Sequence, residues 1–325
     1  MPLVDSYGRQ VSYLRLSVTG RCHLRCVYCR PAAGKTAEMP DDLLGYDGLM
    51  RVAETSVSLG VEKIRITGGE PLLRAGITDF VSALASIDGL KQLVLTTNGQ
   101  LLAELADGLK QAGLQRINIS LDSLDAATYA AITRGGELRR VMEGLAAAEQ
   151  ADFSSVKINV VVMRGINDHE LTDFAALSLE HPFDVRFIEL MPTRSGLALT
   201  PVSGMEIMAV LSEHYRLQPV AGGRLDGPSR SFRIAGAAGT VSLITPLSNH
   251  FCHTCNRLRL TSDGLLKGCL FGMDTMDIKP YLHTDDLPGL EAAIRAAVRS
   301  KPSGHRLGDQ QNRRLSPLRM SSIGG

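Results

Sequence analysis

The chain has 325 residues, with 35 lysines and arginines against 34 aspartates and glutamates, a formal net charge of +1, 44% hydrophobic residues and 21% charged ones. This is a globular composition, sized for one large domain or two ordinary ones, and its near-neutral charge argues against a surface built throughout for nucleic acid. The N-terminal MPLVDSYGRQ lacks the apolar core of a secretion signal and no run of 18 apolar residues occurs, so the sequence predicts a cytoplasmic protein without a membrane span, whose clustered cysteines read as metal or redox ligands.

From residue 12 to about 190, strand-like and helix-like stretches alternate. Strands are expected at YLRLSV (13–18), EKIRIT (62–67), QLVLTT (92–97), RINISL (116–121), SVKINVVVM (155–163) and VRFIEL (185–190). Between them lie helical patterns, among them 46–59, 101–113 and 137–151, with Gly60 and Gly113 placed as C-terminal caps. Six strands joined by helical crossovers imply a parallel sheet, either an open doubly wound one or a six-stranded partial barrel. Strand alternation favours the barrel. Leu14, Leu16 and Val18 oppose Tyr13, Arg15 and Ser17; Ile64 and Ile66 oppose Lys63, Arg65 and Thr67; Ile117, Ile119 and Leu121 oppose Arg116, Asn118 and Ser120; Ile158, Val160 and Val162 oppose Lys157 and Asn159. A dry core rejects so many charges, whereas a ligand-filled lumen accepts them. The loops at the strand C-terminal ends, TGRC, TGGEP, TTNG and SLD, are then the expected place for a site. After Pro201 the alternation weakens: a helix at 204–215, a loop at 221–231, short strands, a helix at 287–300 and a basic tail.

All six cysteines fall into two triplets: Cys22, Cys26 and Cys29, then Cys252, Cys255 and Cys269. Structural zinc wants four protein ligands, and His250 or His253 could complete the second set. Iron–sulfur clusters are held by thiolates, normally four, so three on a four-iron cluster leave one iron open to a ligand.

The spacing C-x-x-x-C-x-x-C, with Tyr28 before its last cysteine, resembles the signature of radical S-adenosylmethionine enzymes, and ITGGEP (66–71) resembles their glycine-rich motif. Together with INISLD, KINVVVMRGIND, RFIELMP, FCHTCNRLRLTSDGLLKGCLF and the terminal SSIGG, the chain is similar over essentially its whole length to the GTP 3′,8-cyclases of molybdenum cofactor biosynthesis. The resemblance implies a partial (β/α)6 TIM-like barrel over 1–220 and a smaller α+β region over 221–325. It implies a [4Fe–4S] cluster on Cys22, Cys26 and Cys29, a second on Cys252, Cys255 and Cys269, and S-adenosylmethionine held by Tyr28, Gly69, Ser120 and Met191. GTP would be held by Arg15, Arg65, Thr96, Lys157, Arg257, Leu258 and Arg259, with Arg257 and Arg259 also the catalytic candidates; Arg186, at a similar strand position, reads as a contact either to phosphate or to a residue that binds it. The implied chemistry is reductive cleavage of S-adenosylmethionine, removal of the ribose 3′ hydrogen of GTP by a 5′-deoxyadenosyl radical, and closure onto carbon 8 of the guanine. Gly324 and Gly325 would reach into the site. The implied partners are an external one-electron donor and a downstream cyclic pyranopterin monophosphate synthase, the chain itself being a monomer or a homodimer. Two rivals stand beside this. One is a radical enzyme whose second cluster relays electrons for a peptide or other substrate. The other is a zinc-stabilised nucleic-acid binder, which would show aromatics interleaved in a basic patch; the chain has no Trp and 5% aromatics.

Overall fold

The computed structural model describes residues 2–30, 43–193, 198–305, 307 and 323. Six strands, β1 (Tyr13–Ser17), β2 (Lys63–Thr67), β3 (Gln92–Thr97), β4 (Arg116–Ser120), β5 (Ser155–Val162) and β6 (Phe183–Glu189), pair in chain order and all in parallel. The helices α1 (Tyr46–Ser58), α2 (Ile77–Ala85), α3 (Leu102–Gln111), α4 (Ala126–Thr133), α5 (Leu138–Gln150) and α6 (Leu171–Glu180) make the crossovers. Gly60 and Gly113 follow α1 and α3 with φ of +100° and +93°, the left-handed geometry that ends a helix.

The apolar face of every strand packs outward onto these helices. Leu14, Leu16, Ile64, Ile66, Ile117, Ile119, Ile158 and Val160 join Leu49, Val52, Val81, Leu102, Val141 and Phe174 in one core. Each such side chain, fully buried, contributes on the order of 1.5–3 kcal/mol. The other face is buried too, although it is polar: every residue of β1 and of β2 is shielded from solvent. The sheet curls around that face as the barrel reading requires. The strand expected at 185–190 begins earlier, at Phe183, which brings Asp184 onto the inner face beside Arg186.

The chain beyond β6 does not form a separate layer. After α7 (Gly204–His214) come β7 (Leu217–Val220), β8 (Arg230–Ile234) and β9 (Thr240–Ile244), then β10 (Arg257–Leu260), β11 (Leu265–Lys267) and β12 (Met276–Asp277), followed by α8 (Lys279–His283) and α9 (Leu287–Arg299). β9 pairs in parallel with β6 and β10 in parallel with β1, so one sheet runs β12-β11-β10-β1-β2-β3-β4-β5-β6-β9-β8-β7. The region expected as a smaller C-terminal unit thus extends both edges of the barrel sheet.

Candidate functional site

Strand register stacks the polar side chains in layers. Arg257, Tyr13 and Lys63 open β10, β1 and β2 side by side; two residues on, Arg259, Arg15 and Arg65 form the next row; Ser17 and Thr67 close the strands. Arg116 likewise opens β4 and Ser120 closes it. Cations therefore crowd toward the N-terminal ends of the strands and hydroxyls toward the C-terminal ends. A cavity of about 320 Å³ runs between the two, lined by Arg15, Arg65, Thr96, Ser120, Arg186, Arg257 and Arg259 and by all six cysteines.

The C-terminal end is built by the loops after β1 and β2. The Cys29 and Arg30 amides both donate to the Cys26 carbonyl, winding Cys26 and Cys29 into one tight turn. The Gly69 amide donates to the Thr19 carbonyl and the Glu70 amide to the Arg21 carbonyl, each at 2.7 Å. This contact is why two glycines stand together. A Cβ at Gly68 (φ +151°) would lie 2.4 Å from the Thr19 oxygen, and one at Gly69 would lie 2.2 Å from the Arg21 oxygen. Glu70 is buried and accepts from the Leu72 amide, the Asn98 amide and the Thr97 hydroxyl, tying the loop after β2 to that after β3. Burial pushes its carboxyl up to about 7 against those three donors. The Tyr28 hydroxyl donates to Asp122 at 2.6 Å, and Asp122 also accepts from the Val161 amide at 2.8 Å. Burial raises Asp122 to about 6. Burial and then Asp122 hold the Tyr28 phenol well above its ordinary value.

The three thiols of this loop feel one another. Burial raises all three, Cys29 to about 11; Cys26 is pushed further by Asp122, Cys29 and Cys22, and Cys29 by Cys22. Three half-buried sulfurs that repel each other once ionised are a donor set for a positively charged group. Among the described residues no three His, Cys, Asp or Glu side chains converge as the ligands of a single metal ion. Three cysteine thiols in each triplet are the donor type that an iron–sulfur cluster takes. Of the two histidines weighed for zinc at the second triplet, His253 is exposed, and His250 packs edge-on against His305 with ring centres 5.7 Å apart.

At the N-terminal end the cations shape each other. Burial pushes the Tyr13 phenol up, but Arg65, Arg15, Lys63 and Arg257 outweigh it and bring it down to about 7. Burial lowers Lys63 to about 7 and Arg65 to about 10; Tyr13 opposes both shifts, and repulsion from Arg186 adds to both. Arg65 Nη1 lies 3.4 Å from the Thr96 hydroxyl. Asp184 is the acceptor within this field, taking Arg186 at 2.6 Å and Lys157 at 2.9 Å, with the Ser242 hydroxyl at 2.6 Å. Burial would raise Asp184, yet Arg186 and Lys157 hold it down at about 2. From below, the loop after β7 adds the Leu225 carbonyl to Lys63 at 2.6 Å and Asp226 to Arg116 at 3.2 Å. The second triplet borders the same end, with Cys255 two residues before β10 and Cys269 two residues after β11. Burial raises the Cys255 thiol, but Arg257 and Lys301 pull it down to about 6.

Most sequence-predicted site residues thus meet in one cavity, including Tyr28, Gly69, Ser120 and Met191. Two do not line it. The Leu258 side chain is fully buried in the outer apolar core, leaving only its backbone on the strand. Lys157 reaches Asp184 rather than the cavity wall. Gly324 and Gly325 lie outside the described residues. Several cavity-wall polar atoms are buried without a protein partner, among them Arg65 Nε, both side-chain heteroatoms of Asn118 and Asn159 Oδ1. These are sites for ligand hydrogen bonds. Motif reading did not single out Lys63, Arg116, Glu70 or Asp122. Strand alternation marks the first two; the carboxylates stand inside the TGGEP and SLD loops already marked, and only their buried hydrogen bonds show their part.

Comparison with known proteins gives the following. Residues 16–177 match the radical SAM superfamily model and residues 183–307 the Molybdenum Cofactor Synthesis C model. The chain is 55% identical over 308 residues to a GTP 3′,8-cyclase of Geobacter sulfurreducens, covering 94% of each chain. It is 45% identical over 326 residues to the GTP 3′,8-cyclase of Moorella thermoacetica, covering 99% of each. Among solved structures, Streptococcus suis SuiB bound to S-adenosylmethionine aligns with a TM-score of 0.61 at 13% identity, over 89% of this chain and 69% of that one, a likeness of fold.

Proposed function

The chain belongs to the GTP 3′,8-cyclase family of the radical SAM superfamily, and from that premise we propose how its residues divide the conversion of GTP to 3′,8-cyclo-7,8-dihydro-GTP, the first step of molybdenum cofactor biosynthesis. Cys22, Cys26 and Cys29 would hold one [4Fe–4S] cluster, and Gly69, Ser120, Tyr28 and Met191, at the same end of the cavity, would hold S-adenosylmethionine. When bound, these groups supply the one-electron chemistry that starts the conversion. Cys252, Cys255 and Cys269 would hold a second cluster facing the guanine end of the substrate. The observation that carries the reading is the wall of cations between the two triplets: buried Arg15, Arg65 and Arg259 with half-buried Arg257 in adjacent rows, and buried Arg186 across the cavity.

A triphosphate is the polyanion such a wall accommodates, and arginine binds phosphate oxygens in pairs. Arg257, which lies over the Phe251 ring at 5.0 Å, and Arg259 would polarise the purine as bonding changes at carbon 8. Thr96 orients Arg65, and Lys157 acts through Asp184, which fixes Arg186. Leu258 contributes backbone alone. The curled sheet screens the reacting centre from water, which strengthens every electrostatic contact inside. An external donor delivers the electron, and a cyclic pyranopterin monophosphate synthase takes the product.

The test is anaerobic. Protein reconstituted with iron and sulfide is given S-adenosylmethionine and dithionite, with and without GTP, and 5′-deoxyadenosine and nucleotide products are quantified. The expected result is GTP-dependent 5′-deoxyadenosine with a cyclised nucleotide. Arg259→Ala should lower kcat/KM for GTP about tenfold or more, the worth of one charge-assisted hydrogen bond, with iron content unchanged. Cleavage indifferent to GTP would return the second triplet to an electron relay.

A further inference from the structure

Lys301, two residues past α9, is 3% exposed. Its ammonium donates to the Arg257 carbonyl at 2.7 Å, the Gly268 carbonyl at 2.8 Å and the Cys255 sulfur at 3.9 Å. Those carbonyls belong to the residue two after Cys255 and to the residue just before Cys269. Its stem fills the space over Gly268, where a Cβ would lie 2.5 Å from Lys301 Cγ. Among the described residues no carboxylate pairs with it; the cations near it are Arg9 and Arg257, and the groups that offset its charge are Cys255 and Cys269. Arg9 grips the same segment from the other side. Its guanidinium donates to the carbonyls of Pro302 (2.6 Å), Ser303 (3.0 Å) and Cys252 (2.7 Å) and pairs with Asp5 at 2.6 Å. A buried ammonium is costly unless an anion offsets it. Here the nearest offsetting group is the Cys255 sulfur, which accepts from the ammonium.

We propose that Lys301 is a positioning residue for the second cluster: it fixes the separation of the strand segments that carry Cys255 and Cys269, donates to the Cys255 sulfur, and makes that cluster easier to reduce. This rests on the reading that the second triplet holds a [4Fe–4S] cluster. A cation donating to a ligand sulfur stabilises the extra negative charge of the reduced cluster, so its removal moves the midpoint potential to more negative values.

The test isolates the second site by changing Cys22, Cys26 and Cys29 to Ala. In that parent, Lys301→Met and Lys301→Arg are compared by iron and acid-labile sulfide per chain and by a potential titration followed by electron paramagnetic resonance. Lys301→Met should load less than half the parent's iron or show a more negative midpoint. Lys301→Arg, which keeps charge and donors, should return both toward the parent. Parent-like loading and midpoint in Lys301→Met overturns the proposal. So does equal loss in both variants, which would make lysine's shape rather than its charge the requirement. A parent that binds no cluster, where the unsubstituted chain binds one at the first triplet, would instead overturn the reading of the second triplet and this proposal with it.

Discussion

At the scale of single residues, Lys63 shows how the layer of inward cations is held. Its ammonium rests on the Leu225 carbonyl, and burial with surrounding arginines brings it to about 7, whereas an ordinary lysine titrates near 10.5. Between those values the unfolded chain binds the proton and the folded chain does not, so this group makes the ligand-free fold gain stability as pH rises from about 7 to 10.5. A bound triphosphate reverses the balance by favouring the ammonium, and it also favours the neutral phenol of Tyr13, which titrates near 7. GTP binding at pH 8 is therefore expected to take up protons. Calorimetry in buffers of different ionisation enthalpy should show heats that vary with the buffer, a dependence reduced in Lys63→Met and in Tyr13→Phe. Heats identical in every buffer would rule out the coupling. Strand alternation made the inward direction of Lys63 legible; its loss of charge was not, because that depends on burial and on Arg116 and Arg186, which arrive from other strands.

At the scale of elements, the strands and long helices follow their sequence patterns to within about two residues, because period-two and period-3.6 apolar spacing dominates each segment. Loops are less legible. The GGEP turn reads as a cofactor motif, yet its glycines and Glu70 are first of all a junction between the loops after β1, β2 and β3. Gly69→Ala would force a methyl group to within 2.2 Å of the Arg21 oxygen, next to Cys22. The loop after β1 must shift, so iron loading at the first triplet should fall together with S-adenosylmethionine cleavage, while the second triplet keeps its iron. Full loading of both sites with cleavage alone impaired would mean that Gly69 serves the ligand and not the loop.

At the scale of the molecule, the two family models meet between residues 177 and 183, but the sheet does not stop there. β9 hydrogen-bonds to β6 and β10 to β1, closing both edges that the first six strands would otherwise expose. Open parallel edges invite aggregation. A chain ending at residue 200, after β6, should be poorly soluble, and co-expression with residues 201–325 should restore soluble protein. A monomeric 1–200 fragment melting at the full chain's temperature would contradict this. The barrel was legible from alternation along each strand. The pairing of β10 with β1, some 240 residues apart in sequence, was not, since no local pattern encodes which distant edge a short strand joins.

That pairing makes β1 a spacer. The first triplet follows its C-terminal end, while the second lies beside its N-terminal end, on the chain flanking β10 and β11. Five residues at a rise of about 3.3 Å set the two ends roughly 15 Å apart. Backbone pleat, common to every sheet, fixes that length, and side-chain substitution leaves it alone. The wall can change its chemistry residue by residue, yet a molecule that touches both thiol triplets must always have the same reach.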